Sequence, residues 1–222
     1  MGVVSAGDPD FQEALARTRI GLARRPPRAL EVPGYRRAAV LLALLDRAGG
    51  PTLLFTRRSP ALPHHGGEIS FPGGGLIPGE GPEAGALREA EEEVGLPPER
   101  AEVLGRLDDL VSVARFVVTP VVAAVREPPA TFAAAPGEVE EHFELPLARL
   151  LDRRLRRSTP WDPARLPPDV AQAVRRANVP VEDVDPATGH WLVWSFHADE
   201  SRVVWGLTAR VLTDLIARAF AG

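Results

Sequence analysis

The sequence predicts an α/β fold, a mixed β-sheet covered by helices on both faces. Three observations carry this. The apolar run Arg36 to Leu45 (RRAAVLLALL) reads as a buried strand, and Gly49, Gly50 and Pro51 turn it toward a hairpin partner at Thr52 to Arg58. A strong helix former spans Pro82 to Val94, with Pro82 suited to its first turn and Gly95 to its end. Further strand patterns follow that helix and precede a terminal one, so strands and helices interleave along the chain.

Taken in order, Phe11 to Ala23 predicts an N-terminal helix with Phe11, Leu15, Ile20 and Leu22 available for burial, ended by Pro26 and Pro27. After the first hairpin, Ser59 to Gly67 (SPALPHHGG) reads as a loop. Glu68 to Phe71 reads as a short strand delivering a glycine turn at Gly73, Gly74 and Gly75. Beyond the acidic helix, a strand falls within Ala101 to Val113 and another at Val117 to Val125. Pro120 suggests a sheet edge or a bulge there. Pro146 to Leu151 resembles a short helix. Residues 153–189 are polar and proline-rich, with a short helix at Pro168 to Ala177. His190 to Phe196 and Arg202 to Trp205 form a hairpin pattern, and Leu207 to Phe220 a final helix with Leu207, Val211, Leu215 and Ala219 on one stripe. The expected organisation is one domain over 1–222, with the N-terminal helix at about 11–23 and an insertion at about 153–189.

Composition narrows the function classes. Hydrophobic content of 45% and charged content of 25% are ordinary for a globular protein. A formal net charge of −4 and the absence of a basic run argue against a nucleic-acid partner. There is no cysteine, hence neither disulfide nor thiolate metal site. The longest apolar run, Ala38 to Leu45, is too short to span a bilayer, and the first residues lack the character of a signal peptide, so no membrane partner and a cytoplasmic location are expected.

The helix at 82–94 carries the chemistry. At helical spacing Leu87, Ala90 and Val94 face a core, while Glu89, Glu92 and Glu93 share another side, with Gly85 one turn earlier leaving open space. Three carboxylates so close repel one another, and Arg88 can reach Glu92 without neutralising all three. A solvated acidic face is the plain reading. The glycine stretch just before the helix favours a second one, a hard divalent cation shared with substrate phosphates.

The stretch Phe71 to Leu96 (FPGGGLIPGEGPEAGALREAEEEVGL) resembles the signature of the Nudix hydrolase superfamily. Gly74, Glu80, Arg88, Glu89, Glu92, Glu93, Gly95 and Leu96 fill its defined positions, and Ala90 is small where a bulkier aliphatic is common. The resemblance implies an α/β/α sandwich around a mixed β-sheet, Mg²⁺ or Mn²⁺ as cofactor, and hydrolysis of a diphosphate bond. It implies Glu89, Glu92, Glu93 and the Gly73 carbonyl as metal ligands. Arg88 would orient Glu92, and Glu80 would act as a supporting acid. The general base is open among Glu92, Glu93 and Glu138, the last in an acidic, exposed loop.

A second segment, Leu54 to Gly74 (LFTRRSPALPHHGGEISFPGG), resembles the coenzyme A pyrophosphatase branch of that superfamily. Leu54, Thr56, Arg58, Ser59, Gly67, Phe71, Pro72, Gly73 and Gly74 match in register. Phe55 replaces a Leu, and Pro63 stands where the branch usually has Arg. Val204 to Ala209, Glu138-Val139 and Phe143 to Leu147 resemble it too. Substrate contacts are expected from Arg57, Arg58, His65, Gly67 and Gly74, with His64 as a neighbour of the same loop. The three tryptophans Trp191, Trp194 and Trp205 read as packing residues rather than a base-stacking platform. The implied substrate is coenzyme A or a thioester of it, a small-molecule nucleotide; a homodimer is the assembly left open. Two other readings stand beside it: an ADP-ribose or NADH pyrophosphatase, and a non-catalytic nucleotide-binding regulator. Three repelling acids argue against the last.

Overall fold

The computed structural model of the chain describes residues 8–60, 67–133, 135–199 and 201–221. Helix α1 (Phe11–Ala23) is followed by β1 (Arg36–Leu45), β2 (Thr52–Arg58), β3 (Ile69–Ser70) and β4 (Gly73–Gly75). Then come α2 (Pro82–Val94), β5 (Glu102–Arg106), β6 (Leu110–Val111), β7 (Phe116–Val125) and β8 (Val139–Pro146). The last part holds α3 (Leu147–Leu151), β9 (Arg156–Trp161), α4 (Pro168–Asn178), β10 (Trp191–His197), β11 (Val203–Trp205) and α5 (Gly206–Ala219).

The main sheet is mixed. Its order is β3-β2-β1-β7-β5, with β4 on β1, β6 on β7 and β8 on β2. β1 and β7 run parallel over their full length, from Arg36 opposite Phe116 to Leu45 opposite Val125, whereas β4 pairs antiparallel with the first half of β1. Side-chain alternation on β1 divides the core. Ala39, Leu41, Ala43 and Leu45 pack with Ala86, Ala90 and Val94 of α2 on one face. Leu42 and Leu44 join Phe11 and Leu15 of α1 and Leu212 and Leu215 of α5 on the other. Helices therefore cover both faces, and a second antiparallel sheet of order β11-β10-β9 stands beside α5.

Several elements differ from the expectation. Ile20 is 60% exposed: α1 packs through Phe11, Ala14, Leu15, Thr18 and Gly21, and Ile20 lies off that stripe. Gly21 permits the contact with α5, since a Cβ there would sit 2.5 Å from the Arg218 carbonyl oxygen. The glycine stretch 73–75 is not a free turn but the strand β4. Pro120 lies inside β7, between β1 and β5, rather than at an edge or bulge. Its missing N–H is tolerated because the flanking strand is interrupted there: β5 ends at Arg106, β6 begins at Leu110, and the Leu107 N–H donates to the Pro120 carbonyl (3.0 Å). Residues 153–189 are built rather than loose, holding β9 and α4, and β9 pairs with β10 across six residue pairs.

Candidate active site

The site grows from the β4–α2 connection. Gly73 opposes Val40 and Gly74 opposes Ala39 on β1. A Cβ at Gly73 would collide with the Ala39 carbonyl, so only glycine permits β4 to lie this close. A Cβ at Gly74 would come 2.5 Å from Glu89 Oε2. The bare backbone of β4 is thus where the α2 carboxylates come to rest. Gly85 is buried, and a Cβ there would strike Leu76, so the open space expected beside it is filled by Leu76 and Glu80. Gly95 takes a left-handed conformation (φ 68°) and ends the helix, its N–H donating to the Glu91 carbonyl.

The three glutamates occupy three environments. Glu93 is 6% exposed and accepts a hydrogen bond from the Gly73 N–H (3.1 Å). Burial pushes its pKa up to about 7; the Gly73 bond and the charge of Arg58 oppose the rise, and Glu89 and Glu138 add to it. Glu89 is also raised, chiefly by burial, with Glu92 and Glu138 adding repulsion against the pull of Arg88. Glu92 is solvent-facing, its side chain 58% exposed, and accepts from Arg88 at 3.1 Å. Among the described residues no three His, Cys, Asp or Glu side chains converge as a ready-made metal cage.

Arg88 does more than reach Glu92. It grips Glu80 bidentately (2.9 and 3.0 Å) and donates to Glu89 (3.0 Å) and the Gly75 carbonyl (3.1 Å). Glu80 also accepts from the Ile77 N–H (3.1 Å), which ties the loop before α2 to the helix. The Arg88 bonds hold the Glu80 carboxyl below its ordinary pKa. One guanidinium thus fixes the loop, the glycine strand and two of the acids in a single arrangement.

The adjacent strand separates its two arginines. Arg57 donates to Glu141 of β8 (3.1 Å) and to the Ser201 carbonyl (3.2 Å), and does not line the cleft described below. Arg58 lines that cleft, and its charge acts on Glu93. A register shift between the two positions accompanies the divergence. Gly67 closes the turn behind them, its N–H donating to the Arg58 carbonyl (2.9 Å). His64 and His65, with Pro63, lie outside the described residues. Glu138 is exposed, and its loop is pinned to the end of β2 by the Ser59 N–H, which donates to its carbonyl (2.8 Å). Its field reaches both Glu89 and Glu93.

A cleft of about 640 Å³ opens from Gly73–Gly75, Arg58, Glu68 and Ser70 toward the second sheet. Its lining is largely apolar, and all four tryptophans of the chain (Trp161, Trp191, Trp194 and Trp205) belong to it. Trp161 and Trp191 stack obliquely, with ring centroids 5.7 Å apart. Packing alone does not describe them: Trp205 is 51% exposed at the cleft. The 153–189 segment supplies part of the wall through Trp161, Leu166, Val174, Asn178 and Asp183. Asn178 is clamped to β6, accepting from the Val111 N–H (2.8 Å) and donating to the Val111 carbonyl (2.6 Å). The lining residues come from stretches well separated in the sequence, from Ala38 to Val211.

A glycine strand under an acidic helix, bound together by one arginine and open to a nucleotide-sized cleft, defines a class of proteins that present carboxylates to a charged substrate. The Nudix domain pattern matches residues 34–167, and the chain belongs to the Nudix family. It is 39% identical over 192 residues to the uncharacterized Nudix hydrolase NudL of Klebsiella pneumoniae subsp. pneumoniae, covering 86% of each chain. It is 38% identical over 192 residues to NudL of Citrobacter koseri, again covering 86% of each. Among solved structures it is similar to the Nudix hydrolase RenU of M. smegmatis, with a TM-score of 0.42 and 26% identity over 64% of this chain and 83% of that one. The architecture is the Nudix α/β/α sandwich, and the family's activity is hydrolysis of nucleoside diphosphate-linked substrates. Nudix hydrolases generally need a divalent metal ion, typically Mg²⁺ or Mn²⁺.

Proposed function

We propose that this chain hydrolyses the diphosphate bond of coenzyme A or its thioesters, giving 3′,5′-ADP and 4′-phosphopantetheine or its acyl form. The observation that carries the reading is continuity. The segment Leu54–Gly74 that resembles the coenzyme A branch leads through β2 and β3 into β4, so Arg58, Ser70 and the glycine strand share one cleft beside Glu93. A largely apolar cleft lined by tryptophans suits a substrate with a nucleobase at one end and a pantetheine or acyl arm at the other.

The donor set fits a hard divalent cation. Glu89 and Glu93 are desolvated oxygen donors that repel each other, and Mg²⁺ is commonly held by one or two carboxylates plus substrate phosphates. Glu89, Glu93 and the Gly73 carbonyl would hold it, with Glu92 turning in from Arg88. When bound, such an ion neutralises diphosphate charge and lowers the pKa of a water molecule. The chain's own residues do the rest. Arg88 fixes Glu89 and the β4 backbone, so the ligands need little reorganisation. Arg58 meets phosphate oxygens from the β2 side. Glu138, exposed and within the field of the two buried acids, accepts the proton of the attacking water. Trp205 and the 153–189 wall exclude solvent from the far end of the substrate and limit which diphosphates enter.

The test is a comparison of substrates with Mg²⁺ or Mn²⁺ present. Coenzyme A is expected to have a higher kcat/KM than ADP-ribose or NADH, with 3′,5′-ADP among the products. ADP-ribose as the best substrate would move the chain to the pyrophosphatase reading.

A further inference from the structure

Behind the cleft lies a second recess of about 350 Å³, whose lining includes Arg25, Arg28, Arg176 and Arg210 against the single carboxylate of Asp108. Asn178, Val179 and Arg210 line both cavities, so the recess and the cleft adjoin at these residues. The junction is held by the Asn178 clamp on Val111 and by Arg28 Nη2, which donates to the Ala177 carbonyl (2.7 Å).

The charges do not balance. Asp108 takes a bidentate pair from Arg25 (2.8 and 2.7 Å), the Arg28 backbone N–H (2.8 Å) and Arg218 (2.5 Å). Arg210 is bound to Asp214 (2.7 Å) and Asp183 (3.5 Å), while its Nε is buried without a partner. Among the described residues the Arg28 guanidinium meets only a backbone carbonyl, and Arg176 makes no ion pair. Two guanidinium charges on one small concavity thus lack a counter-charge. Guanidinium forks bind phosphate oxygens bidentately, and a phosphate dianion would balance both charges.

We infer that this recess is a phosphate-monoester site that reads the 3′-phosphate of the nucleotide held in the cleft. The inference rests on the coenzyme A reading above. It assigns that phosphate to Arg28 and Arg176 rather than to Arg57, whose guanidinium Glu141 already engages.

Two measurements test it. In the first, kcat/KM is compared for coenzyme A and dephospho-coenzyme A. The wild type is expected to favour coenzyme A by at least ~10-fold, mainly through KM. The ratio should fall to within about 2-fold in the Arg28→Ala/Arg176→Ala double variant. Arg176→Glu, at an exposed helix position that leaves folding intact, should invert it. An unchanged ratio in the double variant overturns the assignment. In the second, calorimetry follows binding of 3′,5′-ADP, AMP and inorganic phosphate to the metal-free protein. 3′,5′-ADP should bind at least ~10-fold tighter than AMP in the wild type and no tighter in the double variant. Inorganic phosphate binding as tightly as 3′,5′-ADP would make the recess a free-phosphate site and overturn the proposal. Should the wild type leave coenzyme A uncleaved, the functional reading falls alone. The recess is then judged by 3′,5′-ADP against AMP, and equal affinities refute it.

Discussion

Glu93 and Asp108 are both buried carboxylates, 6% and 9% exposed, one on α2 and the other bonded to α5, the helices of opposite faces of the sheet. Burial pushes both upward. At Asp108 the bonds from Arg25, the Arg28 N–H and Arg218 outweigh burial and hold the carboxyl well below its ordinary range. At Glu93 one backbone N–H and a nearby Arg58 are too little against burial, Glu89 and Glu138, and the carboxyl rises to about 7. The same burial thus ends in opposite shifts, set by how many donors the chain brings to each carboxyl. Asp108 is satisfied by the chain and joins the segment after α1 to α5. Glu93 is left short of positive charge, and a cation brought from outside would supply it.

The largest expected effect separates the two by activity. Glu93→Gln should lower kcat/KM by at least ~10², as loss of metal-based charge stabilisation implies. With dephospho-coenzyme A, which lacks the phosphate assigned to the recess, Asp108→Asn should leave it within a few-fold. Steady-state kinetics on both variants with saturating Mg²⁺ check this; equal losses would erase the distinction. Stability should separate them the other way. Asp108→Asn is expected to cost about 2 kcal/mol, below the usual figure for breaking a buried ion pair because Arg25 is half exposed. Denaturant unfolding measures it, and a stability at or above wild type would contradict the structural role.

A pH slope of opposite sign is expected at the two sites. Glu93 is raised from 4.5 to about 7, so between these values the folded protein holds a proton that the unfolded chain releases. Its contribution to stability is present below 4.5 and is lost as pH rises through 7, by up to about 3 kcal/mol. Asp108 is depressed, so its contribution is present above 3.8 and lost as pH falls below about 4. Thermal unfolding of metal-free protein should therefore show Tm falling between pH 5 and 8, and Glu93→Gln should flatten that decline. A slope unaffected by the substitution would place its origin elsewhere.

Much of this contrast was legible in the sequence, but unevenly. The α2 boundaries follow from Pro82 and Gly95, and the acidic face follows from helical spacing, because both are local rules. The hairpin of β1 and β2 and the strands β10 and β11 were signalled by apolar runs and turn residues. The environments of Glu89, Glu92 and Glu93 were not, since they depend on Arg88 reaching back to Glu80 across the loop and on β4 docking against β1. Asp108 gave no signal at all: Arg25 lies 83 residues before it and Arg218 110 after. Strand alternation sends Arg57 and Arg58 to opposite faces, but which of them meets the cleft depends on β8, whose Glu141 takes Arg57. The interior position of Pro120 hinges on a break in the neighbouring strand.

If Glu93 and Glu89 are held short of positive charge for a divalent cation, metal binding must draw a proton from Glu93. Calorimetric titration of Mn²⁺ near pH 7, in buffers of different ionisation enthalpy, tests it directly. The wild type is expected to bind Mn²⁺ with release of protons as Glu93 gives up its own. Glu93→Gln should bind at least ~10-fold more weakly and without that proton release, and Asp108→Asn should match the wild type. Mn²⁺ bound by Glu93→Gln with wild-type affinity and proton release would contradict it.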